Sequence, residues 1–475
     1  MDPRLILALA AGKVAALLTR ALRRGGGTAL PGLVAERVDP HVLRKLGRQL
    51  DTRLLVTGTN GKTTTSRILA SMLAQSGAPY LHNREGSNLT RGIVSALLAS
   101  SSPSGKLRLE PGARSQSSVL SPQSSLGLFE TDEATLPAAA AALAPRAIAF
   151  TNLFRDQLDR YGEVDTVAAL WREALAATPA DATLVLNADD PSVAELALDW
   201  PGPVHWFGLD DPAFATEFTG AFDARWCRAC GGSFAYDRRY FAHVGYWRCT
   251  GCGRSRPEPH TSASNVRLTL DSATFSVPGV GEVTMPLTGA YNVYNALAAI
   301  ALARVAGLPD AAIVSGLAAV RAAFGRQEVI DLDGRRLRLM LAKNPAGANQ
   351  VLHLLSALNT QHTALRVAVL LNDRFADGQD VSWIWDVDYE LLAGAVTTCW
   401  AGGDRAEDVA LRLKYAGWPA PRAVAHDPGA LLHAILAATA PGDDVSVIPT
   451  YTAMLDLRAE LTRRGATTSF WHEAQ

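Results

Sequence analysis

Cysteine is scarce in this sequence of 475 residues. Of the five present, Cys227, Cys230, Cys249 and Cys252 crowd into one short stretch and Cys399 stands alone. That usage excludes a disulfide scaffold and suits a reducing cytoplasm with one metal site. An excess of charge of either sign is missing too: 45 Lys and Arg oppose 46 Asp and Glu, a formal net charge of -1. Neither a basic nucleic-acid binder nor an acidic disordered chain is balanced this way. No apolar run reaches the roughly 20 residues that cross a bilayer. The N-terminal "LILALAAGKVAALLTRALRR" comes nearest, but Lys13 interrupts it, and Asp2 and Arg4 cancel where a secretory signal needs positive charge. It predicts an Ala/Leu-rich helix ended by Gly25, Gly26 and Gly27. Such a helix packs on the following domain or, given the basic residues at its end, rests against a membrane surface.

What the sequence does hold begins at residues 57–65, "TGTNGKTTT". A phosphate loop needs small residues that let backbone N–H groups approach phosphates. It also needs a lysine for the β/γ charge, a hydroxyl for Mg²⁺ and a helix N-terminus behind it. Gly58, Gly61, Lys62 and Thr63 supply these, with Thr59, Asn60 and Thr64 completing the loop. The flanks read as a strand before it and a helix after it, stopped at Gly77. Val56 stands where the usual first glycine belongs. ATP binding follows. The second motif is Cys227-x2-Cys230, then 18 residues, then Cys249-x2-Cys252. This is the spacing of a four-thiolate zinc ribbon, a closed and therefore structural site. Arg238 and Arg239 lie between the pairs, yet one ribbon in a chain of near-zero net charge does not make a nucleic-acid reader.

Apolar runs at 147–151 and 183–186 read as buried parallel strands. Residues 100–125, rich in Ser and Pro, read as a surface loop. Short strand-like pieces follow the ribbon, then a helix over 292–306. Beyond Phe324, "LRVAVLLND", "AVTTCWAGG" and "DVSVIPTY" alternate with helical stretches, so a second α/β unit is expected, with Cys399 in its core. The expected fold is α/β: a phosphate-loop ATPase domain at 51–322 after an N-terminal helical segment at 1–50. A four-cysteine zinc ribbon is inserted at about 225–256, and a smaller Rossmann-like C-terminal domain occupies 323–475.

The short loop "GTNGKT" resembles the Mur ligase family of ATP-dependent amide-forming enzymes, which includes the folylpolyglutamate synthases. Further stretches match that family in order. "FETDE" offers Glu130 and Glu133, and Glu130 resembles the family's Mg²⁺-holding glutamate. "TNLFRDQLDRYGE" resembles a T-N-x-x-x-D-H-L-D segment through Asn152 and Asp156, with Gln157 replacing the histidine. "LNADDP" is family-like as well. "GAYNVYNALAA" resembles the adenine-contacting H-N-x-x-N-A through Asn292 and Asn295, with Tyr291 departing. In "FGRQE", Arg326 resembles the arginine that reaches the γ-phosphate. Singly, such Asn and Asp residues are loop-formers or caps; their shared order behind one phosphate loop favours a nucleotide site. In "LAKNPAG", Lys343 and Met340 stand where Mur ligases carry the His and Asp of D-Y-A-H-N-P. Together with the embedded ribbon and "LLNDRFADGQDVSWIWDVDYE", this segment is similar to the MurT family, the synthetase subunits of lipid II isoglutaminyl synthase.

That resemblance implies a cytoplasmic bacterial ligase requiring ATP, Mg²⁺ and Zn²⁺. It implies amidation of the D-isoglutamate α-carboxylate in the lipid II stem peptide through an acyl phosphate. Lys62, Glu130 and Arg326 would serve the phosphoryl transfer. No Cys/His glutaminase site is evident, and the family pairs with a GatD glutaminase subunit. Asp380, in the family's D-x-S-W segment, would orient that partner's histidine; on spacing alone it is a loop acid. Too few residues precede the phosphate loop for the sugar-nucleotide-binding domain of ordinary Mur ligases, which fits a lipid-linked substrate and leaves room for peripheral membrane contact. The alternatives are an independent amino-acid-adding Mur or folylpolyglutamate-type ligase, and a nucleotide-gated zinc-ribbon scaffold.

Overall fold

The computed structural model describes residues 2–21, 29–83, 88–109, 125–155, 164–215, 223–321, 326–359 and 364–467, without the side chains of Arg20, Ala21 and Arg326. Asp156, Gln157 and positions 110–124 of the Ser/Pro stretch therefore lie outside the described residues. The described flank of that stretch is ordered by pairing, Ser101 bridging Leu107 and Ser125 bonding Asp51.

Among the described residues, seventeen strands run in chain order: β1 Thr52–Thr57, β2 Tyr80–His82, β3 Leu126–Glu130, β4 Ala147–Phe150, β5 Thr183–Asn187, β6 Val204–Leu209, β7 Phe234–Phe241, β8 Val244–Cys249, β9 Thr261–Leu268, β10 Ala273–Val277, β11 Gly281–Met285, β12 Arg326–Leu332, β13 Arg335–Met340, β14 Leu365–Leu370, β15 Val396–Gly402, β16 Val424–Ala425 and β17 Asp444–Pro449. Nine of them form one sheet, ordered β11-β10-β9-β6-β5-β4-β1-β3-β2. From β2 to β9 neighbours are parallel, and β9-β10-β11 is antiparallel. Parallel strands need helices on both faces and so bury both. Leu54, Val56 and Leu128 accordingly face one apolar core, while Leu55, Phe129 and Ile148 face another. The Ala290–Val305 helix is enclosed from Asn292 to Ala303, which explains why its sequence lacks a polar stripe.

A second sheet is ordered β12-β13-β17-β14-β15-β16, parallel except for β12-β13. Cys399 is buried within β15, where its thiol donates to the Pro419 carbonyl at 3.1 Å. The cysteine stretch makes a separate hairpin, β7-β8, inserted between β6 and β9. The chain thus has an α/β fold of the kind its motifs predict, a phosphate-loop sheet with an inserted cysteine hairpin followed by a smaller α/β sheet. Among the described residues, no helix is long and apolar enough to cross a membrane.

Candidate active site

The phosphate loop leaves β1 between its neighbours β3 and β4, the crevice at strand C-termini where open α/β sheets take ligands. Backbone freedom is needed at two points. Gly58 sits at φ +131°, where a Cβ would come within 2.1 Å of Thr151 Oγ1. Gly61 sits at φ +86° and caps the Lys62–Ser76 helix; a Cβ there would come within 2.0 Å of Asn295 Oδ1. Gly61→Ala should therefore displace Asn295 and strain a left-handed residue by about 1–2 kcal/mol. Nucleotide binding measured by calorimetry is expected to weaken roughly tenfold, the equivalent of about 1.4 kcal/mol.

Two acids at the end of β3 divide the loop between them. Thr63 Oγ1 donates to Glu130 Oε1 at 3.0 Å, while Lys62 Nζ donates to Glu133 Oε1 at 2.8 Å and to the Gly58 carbonyl at 2.5 Å. Burial pushes the Glu133 carboxyl up from its ordinary value, against the pull of Lys62. The Glu130 backbone is fixed by Asn83, whose amide donates to the Glu130 carbonyl and accepts from its N–H, both at 2.8 Å. A hydroxyl and a carboxylate brought together at a phosphate loop fit the oxygen-only preference of Mg²⁺.

The loop's other flank is held by residues 151–154. The Asn60 N–H donates to Asn152 Oδ1 at 2.9 Å, Thr151 Oγ1 donates to the Asn60 carbonyl at 2.7 Å, and the Phe154 N–H donates to Thr59 Oγ1 at 3.0 Å. Behind the loop, Asn295 Nδ2 donates to Asn292 Oδ1, and Asn292 Nδ2 to Gln327 Oε1, each at 3.1 Å. Gln327 is held at φ +65° by further bonds to Thr288 and Tyr291. Asn152, Asn292 and Asn295 are thus gathered around the loop. Arg326 opens β12 one residue before Gln327.

A cavity of about 470 Å³ lies against this assembly. Lys62, Thr63 and Glu130 line one side, and Met340, Lys343 and Gly347 line the other, from the second sheet and the helix after it. Asn344 ties the two sides together, donating to Asn60 Oδ1 at 3.0 Å while accepting from the Gly347 N–H as cap of the Pro345–Leu358 helix. The Asn-Pro pair in "KNPAG" is the sequence signal for that cap. Nothing local in the sequence points to Gln327 or Asn83.

Asp380 is not part of this cavity. It is exposed and accepts the Ser382 N–H at 2.9 Å at the start of the short Ser382–Asp386 helix. Hydrogen bonding from the Ser382 side chain, then from its N–H, holds its carboxyl below the usual range. At the far end of that helix, Asp386 meets Arg155 at 3.5 Å, and Arg155 also pairs with Asp223 at 2.5 Å.

The four clustered cysteines converge, with all Sγ atoms within 4.8 Å of one another. Cys227–Cys252 at 3.8 Å and Cys230–Cys249 at 3.4 Å approach the edge of about 3.8 Å that a tetrahedron with metal–sulfur bonds of about 2.3 Å requires. Backbone N–H groups of Cys252 and Gly251 point at Cys249 Sγ and hold that thiol low, at about 6. The donor set fits a metal ion.

Residues 341–454 match the MurT ligase C-terminal family, and residues 56–225 match the Mur ligase middle domain. The chain is 33% identical over 450 residues to subunit MurT of the glutamine-hydrolysing lipid II isoglutaminyl synthase of Streptococcus pneumoniae, covering 93% of this chain and 94% of that one. It is 33% identical over 460 residues to its Staphylococcus aureus counterpart, covering 95% and 97%. In fold it is similar to a pseudomurein peptide ligase type C from Methanothermus fervidus, with a TM-score of 0.64 at 19% identity over 87% of this chain and 78% of that one.

Proposed function

From the premise that the chain belongs to the MurT family of Mur ligase-like, ATP-dependent ligases, we propose that it is the synthetase subunit of a lipid II isoglutaminyl synthase. It amidates the α-carboxylate of D-isoglutamate in the lipid II stem peptide. A carboxylate is a poor electrophile, so a carboxylate oxygen first attacks the γ-phosphorus of ATP. The bond to ADP breaks and an acyl phosphate results. Ammonia then attacks the acyl carbon, and the C–O bond breaks to release phosphate and leave D-isoglutamine. The observation that carries this reading is the cavity itself, where Lys62, Thr63 and Glu130 face Met340 and Lys343.

In this reading Lys62, with Arg326 from β12, offsets charge developing on the transferred phosphoryl group. Thr63 and Glu130 would hold Mg²⁺, which supplies further charge neutralisation when bound. Gly58, Asn60, Gly61 and Thr64 shape the phosphate cradle, and Asn292 and Asn295 border the base. Replacing the family's usual Asp and His by Met340 and Lys343 suits a site that takes ammonia rather than an amino acid. The four thiolates hold Zn²⁺ as a structural ion, and the protein works in the bacterial cytoplasm.

Ammonia comes from a GatD-type glutaminase subunit. Asp380, exposed and with its carboxyl held in the charged form, orients that partner's catalytic histidine as the acid does in a triad. Asp380→Asn is therefore expected to remove glutamine-driven amidation by about 10³–10⁴-fold, the scale of losing a triad acid, while ammonium-driven amidation is unchanged. The assay compares the two nitrogen donors with and without the partner, using ATP, Mg²⁺ and lipid II. Addition of an amino acid, or equal loss with both donors, would sink the reading.

A further inference from the structure

The N-terminal helix Pro3–Ala21 is built inside out. Its face toward the protein carries Ala8, Leu9, Gly12 and Ala15, mostly small. Gly12 lies so close to its neighbours that a Cβ there would come 2.8 Å from Leu98 and 3.1 Å from the Pro31 carbonyl. The larger apolar side chains point away: Leu7 is 61% exposed, Val14 54%, Leu17 65% and Leu18 58%, joined by Ile6. Residues 3, 7, 10, 14 and 17 follow helical spacing, so Leu7, Val14 and Leu17 form one continuous outward stripe. Leu9 anchors the helix in the core beside Ala8, with Leu5 packed against it, while the remaining large apolar side chains stay outside. Clustered exposed apolar surface of this kind marks an interaction site.

Charge indicates the occupant. Between Asp2 and Glu36 the sequence has Arg4, Lys13, Arg20, Arg23 and Arg24 and no acid, in a chain whose net charge is -1. Of the two whose side chains the structure describes, Arg4 donates to the Val38 carbonyl at 2.9 Å and Lys13 to the Ser101 carbonyl. A basic segment with an apolar stripe is the combination that lies in the interface of an anionic bilayer rather than crossing it. The helix packs on Leu30–Val38 and on Thr90–Ala99, meeting the latter at Leu98, whereas Leu89 of the cavity lining caps its opposite end.

We infer that the outward face of the Pro3–Ala21 helix is a docking surface for an anionic lipid bilayer, which holds the cavity near a lipid-linked substrate. The choice of a bilayer rests in part on the proposed lipid-linked substrate, but the contact itself can be tested without any substrate.

The test is co-sedimentation of the full chain with vesicles of phosphatidylglycerol and phosphatidylcholine, against phosphatidylcholine alone. The expected result is binding to the anionic vesicles that weakens with salt. In Leu7→Gln/Val14→Gln/Leu17→Gln it falls at least about tenfold with an unchanged melting temperature, because binding scales with buried apolar area. If that triple variant folds poorly, Leu7→Gln and Leu17→Gln singly should each lose binding by a few-fold. No binding by the unaltered chain, or equal binding by the variants, overturns the inference. So does a concentration-dependent dimer that the variants dissolve, which would make a second copy the occupant. Amidation of detergent-solubilised lipid II, assayed separately, should be the same in all these variants; its absence throughout would instead count against the proposed function.

Discussion

Replacing Lys62 with methionine is expected to lower ATP-dependent amidation by about a hundredfold to a thousandfold, the scale of losing one pre-organised charge partner in a transition state. The same change should cost about 3–5 kcal/mol of stability, because it leaves the partner of a buried ion pair alone. Lys62 and Glu133 are 8% and 5% exposed, and their 2.8 Å contact lies inside the phosphate loop. The folded-state carboxyl of Glu133 already titrates above its unfolded value because burial disfavours the charge. A group shifted upward contributes its full stability below the unfolded value and loses it as pH rises through the folded one. Without Lys62 the shift grows, so the variant's deficit should widen with rising pH above the ordinary carboxylate range. Lys62→Met/Glu133→Gln separates the two consequences. Removing the stranded acid should restore most of the melting temperature and abolish the added pH dependence, while amidation stays low. Recovery of activity in the double variant would show that Lys62 serves only to neutralise Glu133, and the catalytic assignment would fall.

Which parts of this site were legible in the sequence follows from how far apart their parts are along the chain. The loop of Gly58, Gly61, Lys62 and Thr63 and the paired cysteines are local motifs, so their chemistry can be read from spacing. The contacts that organise them are not local. Lys62 meets Glu133 across 71 residues, Glu130 meets Asn83 across 47, and Asn60 meets Asn344 across 284. "FETDE" offers two acids without saying which takes the lysine and which the threonine. Only the geometry of the turn after β3 separates Glu130 from Glu133. The same holds for the sheet: β9 pairs in parallel with β6 and antiparallel with β10, and one alternating pattern serves both. The N-terminal helix was legible as a helix, but with apolar residues nearly all round, its sequence does not say which face is hidden.

Cys249→Ser should act on the fold before it acts on the chemistry. The cysteine hairpin is too small to bury a core of its own, so a metal at its four thiolates would hold its base together. In the proposed reading the unaltered chain should bind one zinc ion and the variant is expected to lose it. Its melting temperature should fall by roughly 4–8 °C, the shift that about 2 kcal/mol produces in a domain of this size. A second effect follows from where the other end of the hairpin lies. The Gly245 N–H donates to the Asp189 carbonyl and the Trp247 indole N–H to the Ala188 carbonyl, both at 2.9 Å. The turn between β7 and β8 buries His243 against Phe154, ring centroids 4.6 Å apart, and Phe154 is the residue whose N–H holds Thr59 of the phosphate loop. Phe241, from the end of β7, lines the cavity directly. Loosening β8 at Cys249 therefore relaxes the wall on which the phosphate loop rests, although no cysteine touches the cavity. KM for ATP should rise several-fold while kcat changes less, since Lys62 keeps its bond to Glu133 beyond β3, and Glu130 and Arg326 belong to β3 and β12. Zinc content can be measured by elemental analysis, stability by calorimetry and the KM-to-kcat split by steady-state kinetics. Unchanged zinc and melting temperature would refute the structural assignment. A fall in kcat with KM for ATP unchanged would place the hairpin's influence on the chemical step rather than on the nucleotide.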